Sequence, residues 1–346
     1  MSKPKTPNQK RKYSELNARL AKYVALVEGI YEQLNLEAAK LVGGNTDYSP
    51  DAEVPFKWSD YPQTKKRISD IQEQFVDDIQ AVIYRGTSEE WKNSNEVQDL
   101  LANAVLRDYK AQVNGKKYDI YYQENSDALK AFQQRKDKGF TISDKLWQHS
   151  SLYKQELEEA ISCAIQKGTS AITLSKQISK YLLDFPQLQK DYKERFGTAS
   201  RAKDCEYRSI RLARSEINMA YRSAENLRWQ QMDFVVGYEI KLSGSHHVHD
   251  ICDQLKGKYP KDFVWTGWHP NDLCYKVSIR MTDDELDDML IYKKNVQSVN
   301  EVKDVPGNLK KWLKENSERI SEAKKRKTLP YFVQDNIDLV DKVSKS

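Results

Sequence analysis

The sequence predicts a mainly α-helical protein with a small α+β module: long helices, then a short antiparallel sheet with a His/Cys knuckle. Three observations lead there. Of 346 residues, 31% are charged and 39% hydrophobic, a balance that suits long, solvated amphipathic helices better than one compact globule. Apolar residues recur at helical spacing through most of the chain before the strands. Late in the sequence the period changes to two. Val236, Tyr238, Ile240 and Leu242 alternate with Glu239 and Lys241, and Tyr275, Val277 and Ile279 stand opposite Lys276 and Ser278, the pattern of two half-buried strands.

Residues 1–12 read as a disordered basic tail, with Lys3, Lys5, Lys10, Arg11 and Lys12 among Pro, Asn, Gln and Thr. An N-terminal helical region, 13–125, follows. Its first helix starts at Ser14 or Asn17 and carries Leu16, Leu20, Tyr23, Val27, Tyr31 and Leu34 on one face, until Gly43-Gly44-Asn45 and the Pro50 to Pro62 stretch end it. Two further helices are expected, Gln63–Tyr84 and Ser88–Gln112, then a turn at Val113–Lys116 and a short strand, Tyr118–Tyr122.

A second helical region, 126–200, holds a helix from Ser126 towards Gly139. Another runs from Lys145 to Gln166, with Thr141–Asp144 as its cap and Gly168 closing it. Thr169-Ser170 caps the next helix. The core, 201–295, opens with a long helix, Arg201–Met232, whose apolar stripe is Tyr207, Ile210, Ile217, Tyr221 and Ala224. Arg214 falls inside that stripe, while Arg208, Arg211, Asn218 and Arg222 are expected at its edge or on the polar side. Two strands with a His/Cys loop between them follow, then an acidic helix start at Thr282–Glu285. A C-terminal helical extension, 296–346, contains a helix from Leu309 that ends in a basic run, and Pro330–Val333, expected to dock on something apolar.

The net charge is +5, too small by itself to imply a nucleic-acid partner. Lys10, Arg11 and Lys12 at one end, and Lys324, Lys325, Arg326 and Lys327 near the other, could contact phosphate or simply solvate helix ends. No apolar run approaches a membrane span, and no secretory leader is expected. Four cysteines are too sparse for a disulfide framework and fit a reducing compartment.

Phosphate-loop, dinucleotide and nucleophile-elbow patterns are absent from the sequence. Four of five histidines, His246, His247, His249 and His269, fall in the loop between the strands, so any chemistry is expected there. The metal reading pairs His249 with Cys252 and His269 with Cys274, four N/S ligands of the kind zinc takes in a closed structural site. The loop without a metal is the alternative. A catalytic reading uses His246 or His247 as general base beside a metal-held water, with Asp250 or Asp253 nearby.

The segment Arg211-Leu-Ala-Arg214-Ser-Glu216-Ile-Asn218, followed by a strand, Asp250-x-Cys252-Asp253, Gly257, His269-Pro270 and Cys274, resembles the phage Mu F-like minor head proteins, the head-morphogenesis family of tailed phages. That family pattern is an Arg-x-Glu-x-Asn helix, a Cys-x-x-Cys pair and a closing His-Pro-x-Cys-x-Cys. Arg214, Glu216 and Asn218 match the helix; Cys252, His269, Pro270 and Cys274 match the rest. His249 stands where the first cysteine is expected and Asp272 where the penultimate one is. The resemblance covers about the last 200 residues. It implies a minor capsid protein without catalytic activity, found in the virion and in the host cytoplasm during assembly. Its expected partners are the portal protein, the major capsid protein and packaged DNA. Zinc on His249, Cys252, His269 and Cys274, and a structural ion pair of Arg214 with Glu216, are the expected site features. A metal-dependent nuclease or toxin-like module of a mobile element is the alternative.

Overall fold

A computed structural model describes residues 6–44, 53–110, 112, 113, 115, 118–165, 170–244 and 249–344. Its elements are α1 (Gln9–Gly43), α2 (Pro62–Leu106), α3 (Ser126–Gln134), α4 (Ile142–Ala164), α5 (Ala171–Leu183), α6 (Phe185–Phe196) and α7 (Cys205–Gln231), then β1 (Val235–Lys241), α8 (Ile251–Leu255), β2 (Gly257–Tyr259) and β3 (Tyr275–Arg280). Five helices close the chain: α9 (Asp283–Leu290), α10 (Gly307–Glu315), α11 (Ser317–Lys325), α12 (Tyr331–Gln334) and α13 (Ile337–Ser344). The fold is mainly α with a small antiparallel sheet in the order β2-β1-β3. None of the described helices is long and apolar enough to cross a membrane.

The chain forms two compact units, neither a single stretch of sequence. The first contains residues 1–21, 85–139 and 214–346; the second contains 22–84 and 140–213. In the second, Val27, Tyr31, Phe75, Ile79, Leu146, Tyr153, Ile161 and Ile178 share one core. Thr141 caps α4 through a reciprocal box with Asp144, as the spacing predicted. In the first unit, Tyr238 and Ile240 of β1 pack with Trp229, Trp265, Trp268, Phe332 and Val333. Pro330–Val333 thus docks on apolar surface as expected.

Several local expectations are corrected. Gln63–Tyr84 and Ser88–Gln112 are one helix, α2. Gly86 does not break it, because Thr87 is fully buried and, with Ser88, accepts hydrogen bonds from Gln133 Nε2. Tyr118–Tyr122 is not a strand but runs into a 3-10 turn, Asp119–Tyr122. In such a turn residues three apart lie on one side, so Tyr118 and Tyr121 are buried together with ring centroids 5.2 Å apart. In α7, Tyr207 is exposed, while Asn218 and Arg222 are buried, not at the polar edge. The helix buries a polar stripe because its partner surface is a loop rich in peptide carbonyls. The expected alternation of β3 is not seen in its burial: Lys276 is its one fully buried side chain, and Val277 and Ile279 are only partly covered, as are its other residues. The short β2 had no signal: three residues, Gly257–Tyr259, are too few for a readable period.

Candidate metal centre

The centre grows from α7, whose polar face holds the loop between β2 and β3. Arg222 donates to Thr266 O (3.0 Å), Asp272 O (2.9 Å) and Cys274 O (2.6 Å). Asn218 Nδ2 donates to Asp272 O at 2.8 Å, and Asn226 Nδ2 to Trp265 O at 3.1 Å. A buried guanidinium needs such acceptors, since an unpaired buried charge is costly. The loop fits closely around it. Gly267 has φ +137°, and a Cβ there would lie 2.8 Å from Arg222 Nη1.

The Asp272 carboxylate shapes the same loop from within. It accepts from Trp268 N at 2.8 Å and from Cys274 N at 2.7 Å. Asp250 does the equivalent at the start of α8, accepting from Cys252 N at 2.7 Å and forming a capping box with Asp253. Each cysteine is therefore oriented by an aspartate two positions before it.

Among the described residues, two groups could hold a metal ion, and they share one thiol: Asp250, Cys252 and His269; and Cys252, Asp272 and Cys274. Within each group the ligand atoms all lie within 4.8 Å of one another. Cys252 Sγ is 3.2 Å from His269 Nε2, and His269 Nε2 is 3.2 Å from Asp250 Oδ2. A tetrahedral ion with bonds of about 2.0–2.3 Å spaces its ligands roughly 3.3–3.8 Å apart, close to both distances.

The donor chemistry also fits a cation. His269 Nδ1 is 2.7 Å from Pro270 O; a carbonyl only accepts, so Nδ1 carries the proton. That leaves Nε2 facing the Asp250 carboxylate oxygen and the Cys252 sulfur. Three atoms meeting this way can be joined by the Cys252 thiol proton, by a proton on Nε2 or by a metal ion. The contact with Cys274 first, then burial, push the Cys252 thiol well above the usual thiol range. Both thiols are buried, while His269 and Asp250 are partly exposed, so the centre has one face open to solvent.

Of the sequence-predicted ligands, Cys252 and His269 stand in one group and Cys252 and Cys274 in the other. His249 is outside both. Its ring is largely exposed and its Nδ1 lies 3.3 Å from Asp253 Oδ2. His246 and His247 lie outside the described residues. Asp272, a competitor of Cys274 by spacing, and Asp250, expected only beside a catalytic water, join these groups; both sit in the pattern Asp-x-Cys.

Arg214 and Glu216 do not pair with each other. Glu216 pairs with Arg135, whose guanidinium also stacks 3.6 Å from the Phe132 ring centroid. Arg214 Nε is buried with no hydrogen-bond partner among the described residues, and burial lowers the pKa of that guanidinium. Of the basic candidates, Arg11 and Lys12 pair with Glu15, Lys324 with Asp341 and Arg326 with Glu322. Lys10, Lys325 and Lys327 are exposed. No family model, curated protein or solved structure matches this chain.

Proposed function

We propose that this chain is a minor capsid protein of a tailed phage or prophage, working in head morphogenesis. In this reading it binds the portal protein and the major capsid protein during assembly or DNA delivery, is carried in the virion, and catalyses no reaction. Its metal is zinc, seated on the Cys252 thiolate that both groups share. His269, Cys274 and one of the two aspartates complete the set, and the ion braces the loop between β1 and β3.

One observation supports this most. The Arg-x-Glu-x-Asn helix and the His-Pro…Cys loop, separate in sequence, meet through Asn218 and Asp272, and Arg222 binds the same loop at Cys274 O. The two halves of the family-like pattern are one packed object, as a scaffold motif requires and a chance match does not.

The reading is tested by co-expressing the chain with the portal protein encoded beside it and recovering the complex through a tag on either partner. Zinc is measured in the purified chain, with about one ion per chain expected. Cys252→Ser and His269→Ala should lose it, whereas His249→Ala should keep it. Recovery of neither portal nor zinc would overturn the proposal. So would metal-stimulated cleavage of plasmid or RNA.

A further inference from the structure

In the second unit the last turns of α1 lie against the start of α5, and Gly43 is what lets them meet. A Cβ at Gly43 would stand 2.7 Å from Ala171 O and 3.0 Å from Ser175 Cβ, a contact no larger residue tolerates without separating the helices. Beside this contact is a groove of about 830 Å³. Leu36, Ile172 and Leu183 line it and are 44%, 72% and 63% exposed. Large aliphatic side chains gathered in one concavity and left open to solvent mark an interaction surface rather than scattered surface apolarity.

Lys40, Lys176 and Lys180 line the same groove and make no ion pair among the described residues. One lining residue, Asp184, carries a carboxylate, and it already accepts from Gln187 N at 3.1 Å to cap α6. The groove is therefore apolar and positive together. We propose that it docks an acidic amphipathic helix of a partner protein. That helix would set its apolar stripe on Leu36, Ile172 and Leu183 and its carboxylates against Lys40, Lys176 and Lys180.

Charge selects this occupant. A basic helix would leave three ammonium groups facing like charge, and a second copy of the chain meeting groove to groove would set lysines against lysines. The span agrees. At 1.5 Å per residue, Ala171 to Leu183 covers about 18 Å, which seats roughly three turns of helix.

The probe is a fluorescein-labelled, end-blocked peptide of roughly 14 residues, with leucines at i, i+4, i+7 and i+11 and glutamates flanking them. A twin carries lysine in place of every glutamate. Anisotropy with the full chain should give saturable binding of the glutamate peptide and binding at least about tenfold weaker for the twin. Ile172→Asp and, separately, Lys176→Glu with Lys180→Glu should each weaken the glutamate peptide by about tenfold or more. These positions are at the surface, and circular dichroism checks that the variants keep their helix content. Equal binding of both peptides, no binding of either, or indifference to the substitutions would overturn the proposal. A concentration-dependent dimer in sedimentation that Ile172→Asp dissolves would also overturn it, because the occupant would then be a second copy.

Discussion

Lys276 sits with its ammonium fully buried, 3.6 Å from Glu225 Oε2 and over the Trp229 ring at 4.8 Å. Burial lowers its pKa to about 8, against the opposing pull of Glu225. Tyr13 OH donates to the same Glu225 at 2.6 Å. Removing one partner of a buried pair leaves an uncompensated charge, whereas replacing both by apolar groups is often neutral. Lys276→Met is therefore expected to lower unfolding free energy by about 3–5 kcal/mol, and Glu225→Leu with Lys276→Met to recover part of that loss, the Tyr13 hydroxyl being left without its acceptor. Urea denaturation of the two variants measures it; a double variant as unstable as the single one would contradict the pairing. Arg222→Ala removes the donor to three loop carbonyls and should cost about as much, by the same measurement.

At this scale the sequence was partly legible. Cys252, His269 and Cys274 stand out because soft ligands are rare in this chain. Asp250 and Asp272 do not, because carboxylates are common in it. His249, by contrast, looks like a ligand from spacing alone, yet its ring turns to Asp253. Arg214 and Glu216 stand two apart on a helix, where side chains do not face each other, which is why Glu216 finds Arg135 instead.

Among the elements, α4 and the start of α7 predict a pH dependence. Burial pushes Glu156 up to about 8, and burial with the carboxylates of Asp204, Glu28 and Glu32 pushes Glu206 up to about 7. Both folded values exceed the unfolded carboxylate range, so the native state holds protons the unfolded chain releases. Their contribution is complete below the unfolded pKa near 4.5 and is lost as pH rises through 7 and 8. His149 acts with the opposite sign. Burial first, then Arg208 and Lys145, lower it to about 4, so its contribution is lost as pH falls from 6.5 towards 4. Above pH 6.5 the two raised carboxyl groups dominate, opposed only as pH nears 8 by Lys276, whose lowered pKa of about 8 acts with the opposite sign. The urea midpoint should fall between about pH 6.5 and pH 8, and Glu156→Gln should flatten that decline. An unchanged slope in the variant would rule Glu156 out as its source.

Helices were the readable elements because their caps and stripes are local, as at Thr141–Asp144 and Thr282–Glu285. What tertiary contact decides was not readable. Beside Gly86 in α2, Thr87 and Ser88 accept from Gln133, a partner distant in sequence. Lys276 of β3 is buried against the pattern because Glu225 and Asn226 lie beside its ammonium.

For the molecule as a whole, contacts such as Tyr13–Glu225 and Gln9–Ser278, separated by 212 and 269 residues, bring distant segments into one unit. No periodicity within a short window carries that information. The charge distribution does support a prediction. The net charge is +5, and Arg11, Lys12, Lys324 and Arg326 already have carboxylate partners. Binding to duplex DNA should therefore be weak, with log K against log salt shallower than about −3. A steeper slope, measured by anisotropy on a 20-base-pair duplex of roughly random sequence, would point to a dedicated nucleic-acid surface.

The Asp272 carboxylate has a further consequence. It ties Trp268 N and Cys274 N while Arg222 gathers the loop's carbonyls from below, and neither task involves an ion. Small zinc modules commonly unfold when stripped because the metal is their core. Here protein hydrogen bonds already hold the loop, so a metal would add to a surface braced by side chains. Chelation should leave the far-ultraviolet dichroism unchanged and lower Tm by only a few degrees, and Asp272→Asn should disturb the loop more than removing the metal does.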